Sequence, residues 1–302
     1  MIPPKPRTFD PRPKIERPLA RKRMTAILAL NFFGGVLMMS DTEETLSADA
    51  KSSCDKLYRF IFKYGNAAGT VIAGGAGDSH LIEYANQELH RLFANKVKGG
   101  EDLLETLNLF ARKFFKESMQ GYHGLHYELV PRFEMLIAVN ICNNPTRIFC
   151  WKGNRMVMLP GDSHSSIGTG VAQIHPMLRD IKTARRLDNM LFLGLRMMYH
   201  AKRAVTGVGG KTEAIALHDD GTTEIFGTET TQKIEDLAIN LDEYLNLAVF
   251  GDVTAVILDV RDVDENVEKN LAGLPGIMQM YREAYSKILK PPSVSRKSKG
   301  RR

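Results

Sequence analysis

From Met24 to Met39 the chain reads MTAILALNFFGGVLMM, an almost unbroken apolar run interrupted at Asn31 and Gly34-Gly35. That pattern predicts two fully buried strands, 25–31 and 35–40, joined by a tight turn. A polar stretch (41–53) follows, then a short strand-like piece around Lys56–Phe60. Residues 69–74, GTVIAG, read as another buried strand running into the turn Gly75-Ala76-Gly77. At Asp78, a capping residue, the period changes. Leu81, Ala85, Leu89 and Leu92 recur at helical spacing to about Lys96, and Leu103, Leu107, Phe110 and Phe114 repeat the period over 101–118. Strands are expected at 134–142, 146–151 and 155–159, then a loop, GDSHSSIGTG, at 161–170. Helices follow at 171–184 and 187–204, then a hairpin of 212–218 with 222–227 turning at Asp219-Asp220-Gly221. Helix 232–247, strand 253–260 and helix 276–290 complete the order.

Strands, two helices, strands, two helices and strands again is not the alternation of a doubly wound parallel sheet. It predicts an α+β fold in which two antiparallel sheets pack together and helices cover each outer face. With 302 residues, 43% hydrophobic and 25% charged, the chain can bury a sizeable core. Its three cysteines, Cys54, Cys142 and Cys150, are odd in number and contain no C-x-x-C pair, which points to a reducing, cytoplasmic setting.

The formal charge of +6 invites a nucleic-acid reading until it is located. Residues 1–23 hold eight Lys/Arg against two acids, with six of the thirteen prolines; 291–302 hold five Lys/Arg and no acid. The body, 24–290, is therefore left at −5. Both tails read as disordered, solubilising arms. No aromatic-basic interleaving or zinc spacing supports nucleic-acid binding. Arg21-Lys22-Arg23 ahead of the apolar run also imitates a secretory signal. The run is too short for a membrane span, and no small-x-small cleavage site follows, so the hairpin is preferred to export.

Thr25 opens the first strand, and Asp41 closes the second, sixteen residues on. A hairpin brings those two ends together, with Lys56 one crossing further. A threonine, a lysine and an aspartate converging at a strand end make an N-terminal-nucleophile site. There the hydroxyl attacks a carbonyl while the residue's own α-amino group, with a pKa of about 7.7–8.0, takes the proton. Lys56 beside it would lower that pKa and stabilise negative charge, and Asp41 would orient Lys56. The glycines of 74–77 offer bare backbone N–H groups to an oxyanion. All of this needs a free amine on Thr25.

The segments MTAILALNFFGGVLMMSD, DKLYRF and GTVIAGGAGD resemble the start of a proteasome-type peptidase subunit. They are similar both to β-type subunits and to the peptidase of the bacterial two-component ATP-dependent protease. IGTGVA (167–172), LFLGLRMMYHA (191–201) and GGKTEAIALHDDG (209–221) continue the likeness over about 25–245. The resemblance implies a four-layer αββα sandwich, a threonine nucleophile, a polypeptide substrate, no cofactor and assembly into a homo-oligomeric ring. It also allows an ATPase unfoldase as partner. Residue by residue, it makes Thr25 the nucleophile, Asp41 and Lys56 its supporting pair, and Gly77 the oxyanion donor. Thr169 stands where the family has a serine bonded to the terminal amine. The substrate-pocket positions fall at Glu44, Cys54, Tyr58, Gly75 and Ser79.

One departure is plain. The family has an Asp and a Ser just before its second Gly-Gly, whereas 204–210, AVTGVGG, offers only Thr206. A noncatalytic ring subunit of the same fold is therefore the alternative to an enzyme. The chain divides into four parts: a basic Pro-rich leader or propeptide (1–24), the proteasome-like domain (25–250), a strand–helix extension (251–290) and a basic tail (291–302). Thr25 would be exposed either by self-cleavage after Met24, or by removal of Met24 as the true initiator, the route the Pro/Arg-rich leader favours. His123-x-x-His126 and Asp162-x-His164 are metal-like fragments without a third ligand nearby, and no metal site is read from them.

Overall fold

The computed structural model describes residues 25–45, 51–64, 67–95, 103–119, 133–141, 144–181 and 186–250, with short helical pieces at 279–280, 283–284 and 287–288. Two five-stranded antiparallel sheets form its centre. The first contains β1 (Ala26–Phe32), β2 (Gly35–Asp41), β10 (Ser165–Gly168), β11 (Thr212–His218) and β12 (Thr223–Phe226), in the order β10-β1-β2-β11-β12. The second runs β5 (Leu57–Tyr64), β6 (Ala67–Gly77), β7 (Phe133–Ile141), β8 (Arg147–Lys152) and β9 (Arg155–Met158) in chain order. A small hairpin of β3 (Glu43–Thr45) and β4 (Lys51–Ser53) stands apart.

Strand alternation sorts the core into three slabs. Ala26, Leu28, Leu30, Leu37 and Met39 face α3 (Val171–Asp180) and α4 (Leu187–Ala204). Their neighbours Ile27, Ala29, Val36 and Met38 face the second sheet, meeting Ile72, Leu136 and Ala138. On the far side, Val71, Ala73, Met135 and Ile137 pack beneath α1 (Ser79–Asn95) and α2 (Leu103–Met119). This is a four-layer αββα sandwich. Every residue of β1 and β2 is buried. A strand covered on both faces needs apolar residues at both parities, which is why 24–39 imitates a signal sequence.

The tight turn expected between them lies at Phe33-Gly34, where Gly34 adopts φ +92°. Three expectations are refined. Gly75-Ala76-Gly77 continues β6 rather than turning, because Phe133 to Met135 of β7 pair with it. The loop 161–170 contains β10, which pairs with β1 through Ala26–Gly168 to Ala29–Ser165. Helix α5 (Thr228–Phe250) starts four residues before the expected 232, its first turn closed by Gly227 O, which accepts from Thr230 and Thr231 N–H. Asp78 does cap α1, its Oδ1 accepting from Leu81 N–H at 3.1 Å. Strand 253–260 lies outside the described residues, as do Cys142, His123 and His126. Ile288 packs against the slab under α3 and α4. Among the described residues, no helix is long and apolar enough to cross a membrane.

Candidate active site

The register of the β1–β2 hairpin sets Asp41 beside the start of β1. There its carboxylate collects three donors. Oδ1 accepts from Ala26 N–H at 2.9 Å, and Oδ2 from Gly209 N–H at 3.2 Å and from the Lys56 ammonium at 2.9 Å. Asp41 is fully buried. Burial raises its pKa above the ordinary value of 3.8, and the Lys56 charge and backbone donors oppose that rise. The geometry is that of an ionised, paired carboxylate.

Lys56 sits just ahead of β5. Its Nζ donates to Thr25 Oγ1 at 3.1 Å and to Glu43 O at 2.5 Å, besides its ion pair with Asp41. An ammonium has three hydrogens, and these three acceptors take them all. Thr25, only 4% exposed, is held from the other side by the β10–α3 corner. Its N–H donates to Thr169 Oγ1 at 3.1 Å, and its carbonyl accepts from Gly170 N–H at 3.3 Å. Gly168 adopts φ +90°, and a β-carbon there would lie 2.1 Å from Thr25 O. Only glycine fits where β10 passes so close to the threonine backbone.

A cavity of about 220 Å³ opens beside Thr25. Cys54, Tyr58, Gly75 and Ser79 line it, together with Lys56 and Gly77, the last at φ +116° where β6 ends. Four of the five pocket positions expected from the sequence thus surround one hollow; the side chain of Glu44 lies outside the described residues. Thr25, Asp41, Lys56 and Thr169 are brought together, and Gly77 borders the same space.

The AVTGVGG segment has no carboxylate to offer, and Thr206 is exposed. Its contribution is made by backbone. Gly209 N–H reaches Asp41, and Gly209 O accepts from Glu43 N–H at 3.1 Å. A β-carbon at Gly209 would stand 2.6 Å from Glu43 Oε2, so the end of the Glu43 side chain would have to shift to admit one.

Sequence reasoning missed Glu213. From β11, its Oε2 accepts from Lys56 N–H and from Ser40 Oγ, both at 3.0 Å. The backbone of Lys56 is therefore anchored by a carboxyl 157 residues away. Burial, reinforced by a hydrogen bond and like charge from Asp55, pushes Glu213 from 4.5 up to about 7. The folded protein then keeps a proton that the unfolded chain has already released. Stability should fall as pH rises from about 4.5 to about 7 and stay level above. In Glu213→Gln that slope should flatten by about 1 kcal/mol, a modest value because the carboxyl is partly solvated. Urea midpoints measured between pH 4.5 and 7.5 check it; parallel wild-type and variant curves would refute it.

His164, from one of the metal-like fragments, is engaged within the first sheet, where its Nδ1 accepts from Asn31 N–H at 3.0 Å.

The two-sheet sandwich with helices on both outer faces is a proteasome-like fold. More particularly, the chain is similar to Anbu, an ancestral β-subunit. The Yersinia bercovieri structure shares 16% identity over 76% of this chain and 97% of that one, with a TM-score of 0.61. Anbu from Pseudomonas aeruginosa, solved as a helical assembly of its complex, shares 15% over 74% and 94%, at 0.60. A Gly-1 mutant of Anbu from Hyphomicrobium sp. strain MC1 shares 14% over 74% and 96%, at 0.58. No protein-family model matches the chain, and no curated protein matches it.

Proposed function

We propose that the chain is a threonine-type peptidase that cleaves peptide bonds with Thr25 once Thr25 is amino-terminal. The observation that carries this reading is the saturation of Lys56, with all three ammonium hydrogens directed at Thr25 Oγ1, Asp41 and Glu43 O. A lysine so engaged has no lone pair to receive a proton. It stabilises an alkoxide instead. The base is then the α-amino group of Thr25, whose nitrogen already touches Thr169 Oγ1.

In the first step Thr25 Oγ bonds to the scissile carbonyl carbon while its proton passes to the α-amino nitrogen. The tetrahedral oxyanion is received by backbone N–H at Gly77. Collapse expels the amine product, which takes the proton from the α-ammonium, and leaves an ester on Thr25. Water, deprotonated by the same α-amine, then releases the acid and restores the hydroxyl. Self-assembly into a closed chamber completes the reading; the helical assembly of the Pseudomonas aeruginosa relative supports oligomerisation.

The absence of an Asp or Ser in 204–210 favours a second reading, a noncatalytic scaffold subunit of the same fold. Edman sequencing and intact mass of assembled protein decide between them. Chains beginning at Thr25, in material that hydrolyses fluorogenic peptides, are the expected result. Assembled chains that retain Met1 and leave every peptide intact would support the scaffold and end the peptidase reading.

A further inference from the structure

We propose that the cavity beside Thr25 receives a lysine or arginine side chain, so that cleavage follows basic residues of the substrate. The inference rests on the peptidase reading and names its substrate class. At about 220 Å³ the hollow falls below the ~300–1,000 Å³ of whole-ligand pockets and suits one long side chain.

Its walls are divided by polarity. Ile82 closes the floor against the bare backbone of Gly75, where an added β-carbon would lie 2.5 Å from Ile82 Cγ2. Tyr58 gives a second apolar surface, so the methylenes of a long side chain have somewhere to lie. The rim carries two exposed carboxylates from separate elements, Asp55 ahead of β5 and Glu83 on α1.

One cation, Lys56, also lines the cavity, and its charge is already committed to Asp41 at 2.9 Å. Asp55 is further backed by the Glu213 carboxyl, to which it is hydrogen-bonded. The charge left facing a substrate is therefore negative. An acidic side chain entering here meets like charge, and a basic one places its head between Asp55 and Glu83. A plain apolar side chain fills the floor but brings no positive charge to the two carboxylates.

The test uses Thr25-initiated protein and four fluorogenic peptides that differ only in the residue before the scissile bond: Arg, Lys, Leu or Glu. For Arg and Lys, kcat/KM should exceed the Leu and Glu values by about tenfold or more. In the Asp55→Asn/Glu83→Gln double variant the Arg-to-Leu ratio should collapse toward one, chiefly through a higher KM for the Arg peptide. In Asp55→Lys/Glu83→Lys the Glu peptide should overtake the Arg peptide. Leu or Glu peptides cleaved as well as Arg by the unmodified protein overturn the charge preference while leaving the peptidase reading intact. If none of the four is cleaved, the peptidase reading fails and the inference goes with it.

Discussion

Thr25→Ala should reduce peptide hydrolysis to background, a loss on the order of 10⁶-fold in kcat, as removal of a sole nucleophile does elsewhere. The fold should survive. The substitution deletes one hydroxyl that accepts from the charged Lys56, worth about 1.5–3 kcal/mol, and leaves the Thr169 and Gly170 bonds to the residue-25 backbone in place. Thr25→Ser should keep part of the activity, since the attacking oxygen and the amine remain. The alanine variant also separates the two routes to a free terminus. Self-cleavage needs the hydroxyl, so the alanine chain would retain residues 1–24. An aminopeptidase acting on Met24 needs only a small next residue, so alanine would be exposed as readily. Intact mass beside a peptidase assay reads both results, and undiminished hydrolysis would place the chemistry elsewhere.

Lys56→Met should remove activity and stability together. Asp41 is fully buried, and without Lys56 its charge keeps two neutral backbone donors among the described residues. Breaking a buried pair by removing one partner costs about 3–5 kcal/mol, because the other charge is left uncompensated. A second substitution, Asp41→Asn, removes that charge while keeping an oxygen for Ala26 N–H. The double variant Asp41→Asn/Lys56→Met should therefore regain most of the lost stability and none of the hydrolysis. Denaturant midpoints and turnover of one fluorogenic peptide, measured on the same three variants, test this. A double variant as unstable as Lys56→Met would show that the ion pair is not what Lys56 contributes to folding.

Part of this site was open to sequence reasoning because hairpin arithmetic is local. Sixteen residues with one tight turn between them return Asp41 to the start of β1 whatever the rest of the chain does. The long helices were legible for a related reason: α1 and α4 each bury one face, so their apolar residues keep the helical period. Elements defined by distant partners were not. β10 is four residues long, half polar, and becomes a strand only by pairing with β1. The glycines of 75–77 look like a turn when read alone and are strand because β7, more than fifty residues on, runs beside them. Glu213 reads as an ordinary polar position on a hairpin; only its closeness to Lys56 N–H gives it a part in the site. Asp55, next to Lys56 in the chain, carries no signal of its own in the sequence because its partner Glu213 lies on β11.

The complete burial of β1 and β2 carries a kinetic consequence. Segments that open by fraying or loop motion are those with few buried contacts, and neither strand has an exposed residue from which opening could start. Thr25 and Asp41 can part only when the whole domain comes undone. The chemistry and the fold should then fail on heating in one cooperative event, while the exposed rim of the cavity stays free to adjust to whatever chain is being cut.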